Sequence, residues 1–282
     1  SEEDEEGFYA GFSNNALWPL CHLAYTRPIF RETDWEAYQQ VNMMYAKSVM
    51  EEIGANDAFV FIQDYHFALL SQYLKLRDPS IVTAQFWHIP WPNPETFGIC
   101  PWQEDVLEGL LGNDVLGFHT RRHSSHFMQS VAQCLEARVE YEHNAVLRNG
   151  HRTAVNAFPI SIDFDEFNEG AQQPEVEQEM DRLKELWGIS DELIGMGLDR
   201  IDYTKGLPER LRAIDMLLLK YPEYKGQMVF VQMGAPSRLQ IAAYQAINEE
   251  VNDLVEEINK RHRAGDWKPI IYQPNDPPAV TR

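Results

Sequence analysis

The sequence predicts an α/β protein with two doubly wound, parallel-sheet domains of the Rossmann-like type. Short apolar, β-prone runs alternate with longer amphipathic stretches, which is the pattern of repeated βα units. The alternation stops in the polar segment 168–191 and then starts again, which predicts one domain on each side of that segment. We expect the first domain at 1–175, a linker with a helix at 176–191 and the second domain at 192–282.

The first domain is expected to contain four strands, each followed by a helix or a loop. The run at 58–62 is short, apolar and β-prone, as a buried parallel strand should be. Before it, apolar residues at three- and four-residue spacing predict a helix at 35–53 that ends at Gly54. The other strands are expected at 81–87, 115–118 and 153–158, and the other helices at 103–112, at 121–135 and in a stretch that ends at Leu76.

The second domain repeats this pattern on a smaller scale. Its strands are expected at 193–198, 228–233 and 269–272, and its helices at 208–220 and 237–261; a charged helix expected at about 174–187 precedes it in the boundary segment. The last residues predict the start of another helix, with Asp276 as the N-cap and Pro277 at the first helical position. Two or three strands are few for a doubly wound domain, so we expect the sequence to be part of a longer chain.

Charge and cysteine content exclude several classes of protein. The net charge of −20 argues against a nucleic-acid binder, because that affinity comes from Lys and Arg that neutralise phosphates. Cys21, Cys100 and Cys134 are far apart and form no C-x-x-C motif, so we expect free thiols in a reducing compartment. The N-terminal run is acidic and the apolar runs are too short to span a bilayer. We therefore expect a cytoplasmic protein with no membrane contact.

Ligands of open α/β sheets bind at the carboxyl ends of the strands, so polar residues that follow strands are the first candidates. Arg200 and Lys205 follow the strand at 193–198 in a loop closed by Gly206. There a guanidinium, an ammonium and a helix N-terminus suit a diphosphate. The alternative is a solvated loop in which Arg200 pairs internally with Asp202.

Three other strand ends carry candidates. His88 opens a loop at 88–95 whose three prolines preclude regular structure, and it is either a donor to a ligand or a structural residue. Asp64 either binds sugar hydroxyls or caps the next helix. Arg238 either binds a phosphate or is a surface residue in the first turn of a helix.

Aromatic residues near the N-terminus form the last candidate set. Tyr9 and Trp18 flank an Asn-rich segment, where they either stack on a sugar ring or belong to the core. The sequence contains no G-x-S-x-G, H-E-x-x-H, P-loop or G-x-G-x-x-G motif and no spacing typical of metal ligands. Common hydrolase, zinc and dinucleotide functions therefore lose support.

Six segments resemble the trehalose-6-phosphate synthase family in their order and spacing. They are Phe12–Leu20, Asp64–His66, His88–Pro92, Leu116–Thr120, Pro159–Asp163 and Asp199–Arg210. The last contains R-x-D-Y-[ST]-K-G-[LIF]-P-x-R and is the most specific.

The resemblance implies the GT-B architecture, in which two Rossmann-like domains face a cleft, with both domains incomplete in this chain. It implies a retaining, metal-independent transfer of glucose from a nucleotide-glucose, first of all UDP-glucose, to glucose 6-phosphate, giving trehalose 6-phosphate. These two small molecules are the expected partners and no cofactor is implied. A homo-oligomer is a further expectation.

The resemblance also assigns roles to the candidate residues. Arg200 and Lys205 bind the donor diphosphate and stabilise the charge that grows on it, so both are catalytic. The transferred glucose is assigned to His88, which is also catalytic, and to Asp64. The acceptor site is formed by Tyr9, Trp18, Asp64 and Arg238.

Some family features are altered or absent. Ser161 stands where many members have Gly, and Trp91 where Phe is common. The family's glycine-rich loop with its phosphate-binding Arg is expected before Ser1, and its D-G-M-N segment and ribose-binding Glu beyond Arg282. The chain is thus expected to lack both ends, and alone it need not be active.

Two other functions stay open. One is a sister transferase, glucosylglycerol-phosphate synthase, whose acceptor is glycerol 3-phosphate. The other is a non-catalytic homologue that senses sugar phosphates. Tyr9, Trp18 and Arg238 together favour a sugar-phosphate acceptor. The intact Arg200, Lys205 and His88 favour a catalyst over a sensor.

Overall fold

The computed structural model describes residues 2–274 and divides into two compact units, Ser1–Ser161 and Ile162–Arg282. The helix expected in the linker at 176–191 lies inside the second unit. The helix start expected at Asp276 and Pro277 lies outside the described residues.

The first unit is built on a six-stranded sheet with the order β1-β2-β3-β6-β5-β4. Its strands are β1 (Phe59–Gln63), β2 (Val82–Trp87), β3 (Val115–Phe118), β4 (Arg138–Glu140), β5 (Ala145–Arg148) and β6 (His151–Ala157). The pairs β1·β2, β2·β3 and β3·β6 are parallel, as expected.

The remaining two strands make this sheet mixed rather than wholly parallel. β4 and β5 pair antiparallel, and β5 pairs antiparallel with β6. Asn149 and Gly150 join β5 to β6 with φ of 51° and 80°. An Asn-Gly pair with positive φ at both positions is the preferred two-residue hairpin turn, so the sequence carried a signal for this antiparallel extension.

Seven α-helices and one π-helix are described in the first unit. They are α1 (Glu2–Glu5), a π-helix (Glu6–Leu17), α2 (Trp18–His22), α3 (Glu32–Ile53), α4 (Leu70–Arg77), α5 (Pro94–Phe97), α6 (Gln103–Leu110) and α7 (Arg121–Cys134). The longest, α3, buries an apolar face that includes Trp35, Tyr38 and Val41. It ends at Gly54, which has a φ of 60° that other residues rarely adopt.

The second unit contains a three-stranded parallel sheet with the order β7-β8-β9. Its strands are β7 (Leu193–Leu198), β8 (Met228–Met233) and β9 (Ile270–Gln273), and its helices are α8 (Phe164–Gly170), α9 (Pro174–Trp187), α10 (Leu207–Lys220) and α11 (Ala242–His262). The core joins α10 and α11 to the sheet through apolar residues such as Leu211, Leu218, Val251, Ile258 and Ile270.

The helix expected at 237–261 begins later, at Ala242. Arg238 has a φ of 53°, which is incompatible with a right-handed helix. The segment before Arg238 instead runs parallel to the residues that come after β7, because Pro236 forms a parallel bridge with Ile201. The segment between β8 and α11 therefore lies beside the loop that follows β7.

Two edge strands expose apolar side chains. On β1, Phe59 and Phe61 are 65% and 59% exposed, and on β7 Leu193 is 65% exposed. Among the described residues, the outer edges of β1 and β7 pair with no other strand. Exposed apolar edges of this kind can pair with other chains.

No helix in the described part of the chain has the length and apolar character that crossing a membrane requires.

Gly234 lies where the end of β8 passes close to the end of β7. A Cβ added at Gly234 would lie 2.6 Å from the carbonyl oxygen of Asp199, which is backbone and cannot turn away. We expect Gly234→Ala to lower the free energy of unfolding by about 1–3 kcal/mol. Urea unfolding followed by tryptophan fluorescence measures this change.

Gly170→Ala is the matched control, because a Cβ added there meets nothing within 4 Å. It should leave the unfolding midpoint unchanged or raise it slightly. Equal midpoints for both variants would contradict the close approach of the two strand ends.

The exposed edge of β1 predicts self-association of the 282-residue chain. Phe61→Lys places a charge on that edge and should lower the scattering mass at high protein concentration. Tyr25→Lys also replaces an exposed aromatic residue, but away from any strand, and should have no effect. Similar light scattering for the two variants would show that the edge of β1 does not mediate association.

Candidate active site

Asp64 follows β1 in a strained backbone conformation, with φ 65° and ψ −176°. Non-glycine residues adopt such angles at a cost of about 1–3 kcal/mol. Its N–H donates to the carbonyl of Phe86 at 2.8 Å, and its own carbonyl accepts from Gln85 Nε2 at 2.9 Å. Its Oδ1 accepts the backbone N–H groups of Tyr65 at 2.9 Å and of His88 at 3.2 Å. Asp64 thus caps the next turn, one of its two expected roles, and also ties the end of β1 to the end of β2.

His88 is half-buried at the carboxyl end of β2, and its ring is held from two sides. Nε2 lies 2.8 Å from Oε1 of Gln63. An amide oxygen only accepts, so Nε2 carries the hydrogen in this contact. The ring also stands edge-on to Phe86 and His119, with centroid distances of 4.7 and 5.7 Å. The imidazole therefore has a fixed orientation, and the backbone N–H of the same residue is bonded to Asp64.

The proline loop that begins at His88 is anchored by Trp91. This residue is 1% exposed, and its Nε1 donates to Oγ of Ser130 at 3.1 Å. Its ring contacts those of Phe97 and Phe127 at centroid distances of 4.4 and 5.0 Å. The family often has Phe at this position. The indole of Trp91 is accommodated there because its N–H has a hydrogen-bond partner.

The turn after Asp64 is fixed by tyrosine hydroxyls. Tyr38 OH donates to the carbonyl of Tyr65 at 2.6 Å and accepts the N–H of Ala68 at 2.9 Å. Tyr65 OH in turn donates to Oδ1 of Asn14 at 2.9 Å. These bonds connect the turn to α3 and to the Asn-rich segment near the N-terminus.

Tyr9 and Trp18 both contact this turn. The Tyr9 ring is half-buried and stacks on His66 at 5.6 Å, with 9° between the planes. Trp18 is 7% exposed, and its ring lies 4.1 Å from that of His22 and 5.9 Å from that of Tyr65. Trp18 therefore packs as a core aromatic, whereas Tyr9 keeps an accessible portion. Ligand contact by either residue stays a prediction.

In the second unit, an ion pair closes the loop after β7. Arg210 on α10 donates through Nη1 to Oδ2 of Asp199 at 2.7 Å and to Oε1 of Gln232 at 2.9 Å. Both ends of the sequence motif at 199–210 are thus joined to each other and to β8. The loop they enclose has a defined shape.

Asp202 fixes the interior of that loop. It is 1% exposed, and its Oδ1 accepts both the N–H and the hydroxyl of Thr204 at 2.9 Å. Its Oδ2 accepts the hydroxyl of Tyr244 at 3.0 Å and lies 3.8 Å from Nη1 of Arg238. The internal Arg200–Asp202 pair, the alternative considered from sequence, is therefore not formed.

Arg200 and Lys205 are both exposed at the carboxyl end of β7. Among the described residues, no hydrogen bond or ion pair engages either side chain. Gly206, with φ 64°, directs the chain into α10, whose first turn receives no side-chain cap. Uncapped N–H groups and two cations at one strand end form an arrangement that suits an anion such as a diphosphate.

Arg238 lies beside this loop and is not the exposed first-turn residue considered as an alternative. Its side chain is 7% exposed. Nη1 donates to the hydroxyl of Tyr244 at 2.6 Å, and the guanidinium carbon lies 5.4 Å from the centre of that ring. Burial, followed by the charge of Asp202, raises the pKa of Tyr244 well above its usual range. The phenol therefore stays neutral.

Sequence reasoning missed several residues that shape these sites. Gln63 is the last residue of β1 and could have been found by the strand-end rule that selected Asp64. Tyr244 bonds Asp202 in the loop across 42 residues of sequence, and Gln232 bonds Arg210 on α10 across 22 residues. No local signal in the sequence reveals such contacts.

Comparisons with known proteins agree with the resemblance stated above. The sequence model of glycosyltransferase family 20 matches residues 1–278. A bifunctional trehalose-6-phosphate synthase/phosphatase from Thermoproteus tenax is 39% identical over 275 residues, which cover 96% of this chain and 37% of that protein.

Two solved structures show the same fold. An E. coli chain bound with UDP-2-fluoro glucose has a TM-score of 0.91 at 28% identity and covers 99% of this chain. An α,α-trehalose-phosphate synthase (UDP-forming) from Burkholderia xenovorans, in complex with glucose-6-phosphate, has a TM-score of 0.88 at 27% identity over 98% of this chain. This chain spans 61% and 60% of those two chains. The predicted GT-B fold with incomplete domains is thereby confirmed.

The family match extends over nearly the whole sequence and includes the motif at 199–210. This chain belongs to glycosyltransferase family 20.

Proposed function

We propose that the full-length protein transfers glucose from UDP-glucose to glucose 6-phosphate and so forms trehalose 6-phosphate. One observation carries this proposal: the acids of the loop at 199–206 are engaged by internal partners, while Arg200 and Lys205 are left exposed beside an uncapped helix N-terminus. The relatives support it, since one is a synthase of this type and two structures hold UDP-2-fluoro glucose and glucose-6-phosphate.

Arg200 and Lys205 bind the diphosphate of the donor and act on the leaving group. Cleavage of the anomeric bond leaves negative charge on the diphosphate, and fixed cations stabilise that charge as it grows. The internal bonds of the loop fix the backbone segment that carries both cations before substrate arrives.

His88 and Asp64 bind the transferred glucose. The His88 ring is oriented by Gln63, and the Asp64 carboxylate is held at the same strand ends. A carboxylate and an oriented imidazole can bind several hydroxyls of a hexose, which places the anomeric carbon precisely enough for transfer. Asp64 also contributes to the acceptor site.

Tyr9, Trp18 and Arg238 are each assigned to the acceptor by the resemblance to the family. Arg238 supplies a guanidinium for the phosphate of glucose 6-phosphate, because a planar fork of donors suits phosphate oxygens. Tyr9 offers an accessible ring to the sugar, and the buried Trp18 contacts Tyr65 in the turn on which Tyr9 also packs.

The reaction retains the anomeric configuration and needs no metal or other cofactor. The acceptor hydroxyl attacks from the face that the diphosphate leaves, and a diphosphate oxygen takes the hydroxyl proton. Arg200 and Lys205 supply the positive charge that a divalent cation supplies in other transferases. No enzyme nucleophile is required.

The protein is proposed to act in the cytoplasm and to form a homo-oligomer. Three free cysteines, two of them buried, agree with a reducing compartment. Light scattering of the full-length protein measures its assembly, and fractionation of the source cells measures its compartment.

The first test is transfer by the full-length protein with UDP-, GDP- and ADP-glucose as donors. We expect product with UDP-glucose and glucose 6-phosphate, and NMR should show both anomeric centres in the α configuration. Arg200→Ala and Lys205→Ala should each lower kcat by about 10²–10³-fold, because each removes charge stabilisation of the leaving group.

Lys225→Ala is the matched control, since it removes an exposed lysine of the same unit outside the loop. It should leave kcat unchanged. Faster transfer to glycerol 3-phosphate than to glucose 6-phosphate would favour the sister transferase. Binding of sugar phosphates without turnover would favour a sensor.

Metal independence predicts that chelation does not affect the reaction. After dialysis against EDTA, kcat with UDP-glucose and glucose 6-phosphate should stay within about twofold of its starting value, because fixed cations stabilise the leaving group. Added Mg²⁺ or Mn²⁺ should not raise it. A loss of activity that a divalent cation restores would show that the proposed metal-free mechanism is wrong.

A further inference from the structure

A cavity of about 610 Å³ lies between α7, β6 and the turn at 141–144 that joins β4 to β5. Its volume is within the range of about 300–1,000 Å³ that is usual for small-molecule sites. The side chains that line it include Arg121, Ser125, Met128, Tyr141, Asn144 and Asn156. Because β6 is parallel to β3, Asn156 lies near the carboxyl edge of the sheet, where α/β proteins bind their ligands. Among the described residues that line the cavity, none is one assigned above to the donor or the acceptor.

The walls of the cavity are fixed by backbone hydrogen bonds. The N–H of Val155 on β6 donates to the carbonyl of Asn144 at 2.7 Å, and the antiparallel pairing of β5 with β6 holds the same turn from its other side. Asn144 has a φ of 47°, a left-handed conformation that Asn tolerates better than most residues. On the opposite wall, Thr120 caps α7 by accepting the N–H of His123 at 3.2 Å. The cavity is therefore formed before any ligand enters.

The polar side chains on these walls have hydrogen-bonding capacity that the protein does not use. Within the part of the chain that the structure describes, no hydrogen bond or ion pair engages the side chains of Arg121, Tyr141, Asn144 or Asn156. Together they offer a guanidinium, a phenol and two amides, so donors and acceptors are both present. Such a set around one cavity suits a ligand with an anionic end and several hydroxyl groups.

Of the described residues that line the cavity, only Arg121 is charged. It is exposed at the start of α7, and the first turn of that helix contains no acid. The two acids closest in sequence to Tyr141, Glu140 and Glu142, do not line the cavity, and Glu140 forms an ion pair with Arg138 at 3.0 Å. A guanidinium without a carboxylate partner is suited to phosphate, because its planar fork of donors matches the phosphate oxygens.

We propose that this cavity is a binding site for a sugar phosphate, separate from the donor and acceptor sites of the transfer reaction. The phosphate forms an ion pair with Arg121, and the sugar hydroxyls form hydrogen bonds with Tyr141, Asn144 and Asn156. The inference goes beyond the proposed function, because it concerns a different set of residues and a ligand that need not react.

Titration of the full-length protein with glucose 1-phosphate tests this site directly. Methionine methyl groups labelled with ¹³C report binding by NMR, and Met128→Leu identifies the signal of Met128, which lines the cavity. We expect that signal to shift and to reach saturation as glucose 1-phosphate is added. Glucose lacks the phosphate and inorganic phosphate lacks the sugar hydroxyls, so each should bind at least about tenfold more weakly.

Arg121→Ala should raise the dissociation constant for glucose 1-phosphate at least about tenfold, because hydrogen bonds to a charged group are lost. Arg122→Ala is the matched control, since it removes an exposed guanidinium from the same turn of α7 that does not line the cavity. It should leave the dissociation constant unchanged. Neither variant should change kcat or the KM values for UDP-glucose and glucose 6-phosphate.

Absence of a saturable shift of the Met128 signal in the wild-type protein would overturn the inference. Equal affinities for glucose and glucose 1-phosphate, or equal effects of Arg121→Ala and Arg122→Ala, would do the same. A higher KM for UDP-glucose or glucose 6-phosphate in Arg121→Ala would assign the cavity to the substrate site, which also contradicts a separate site. Failure of the proposed function is a distinct result, because a protein without transfer activity would still give the binding constants measured at Met128.

Discussion

A carboxylate withdrawn from water needs partners from the protein, since an unpaired buried charge costs several kcal/mol. Asp202 meets this requirement with Thr204, Tyr244 and, more distantly, Arg238. Each partner has a consequence for the site. Thr204 fixes the turn before α10, Tyr244 ties that turn to α11, and Arg238 is drawn below the surface. Because these groups satisfy Asp202, Arg200 is left without an acidic partner in the loop. The absence of an Arg200–Asp202 pair within the loop thus follows from the partners that the buried Asp202 has elsewhere.

In the first unit, an acid at a strand end also bonds neighbouring backbone groups, and there the backbone of the acid is strained. Asp64 follows β1 with a positive φ, and its carboxylate accepts the N–H groups of Tyr65 and of His88, the residue after β2. The strain of about 1–3 kcal/mol is offset by those bonds and by the contacts that β2 makes with its backbone. The backbone of His88 is thereby bonded to Asp64 at the carboxyl edge of the parallel strands β1 and β2. In both units an acid organises the backbone at a strand end, and a basic side chain is thereby presented.

The sequence predicted features that depend on local pattern and missed those that depend on distant pairing. The strands at 193–198 and 228–233 have the expected bounds, because apolar runs between polar turns permit little else. The short β4 has too few residues to show a pattern, although Asn149-Gly150 signals the turn between β5 and β6. The start of α11 was placed too early, since no pattern reveals the positive φ of Arg238. The strand-end rule located Asp64, His88, Arg200 and Lys205, but the partner of His88 is 25 residues away and that of Asp202 is 42 residues away.

The chain and its proposed ligands are both negatively charged, and ion pairs within the protein reduce the repulsion close to the site. A net charge of −20 repels a nucleotide sugar and a sugar phosphate at long range. At physiological ionic strength that repulsion is screened beyond about 8 Å, so only nearby charges decide whether an anion is bound. Near the end of β7, Asp199 is paired with Arg210 and Asp202 is buried among donors, whereas Arg200 and Lys205 face solvent. Two acids of the loop are thus engaged internally, while its two cations face solvent. An acidic protein can bind anions in this way only where its own acids are held by internal partners.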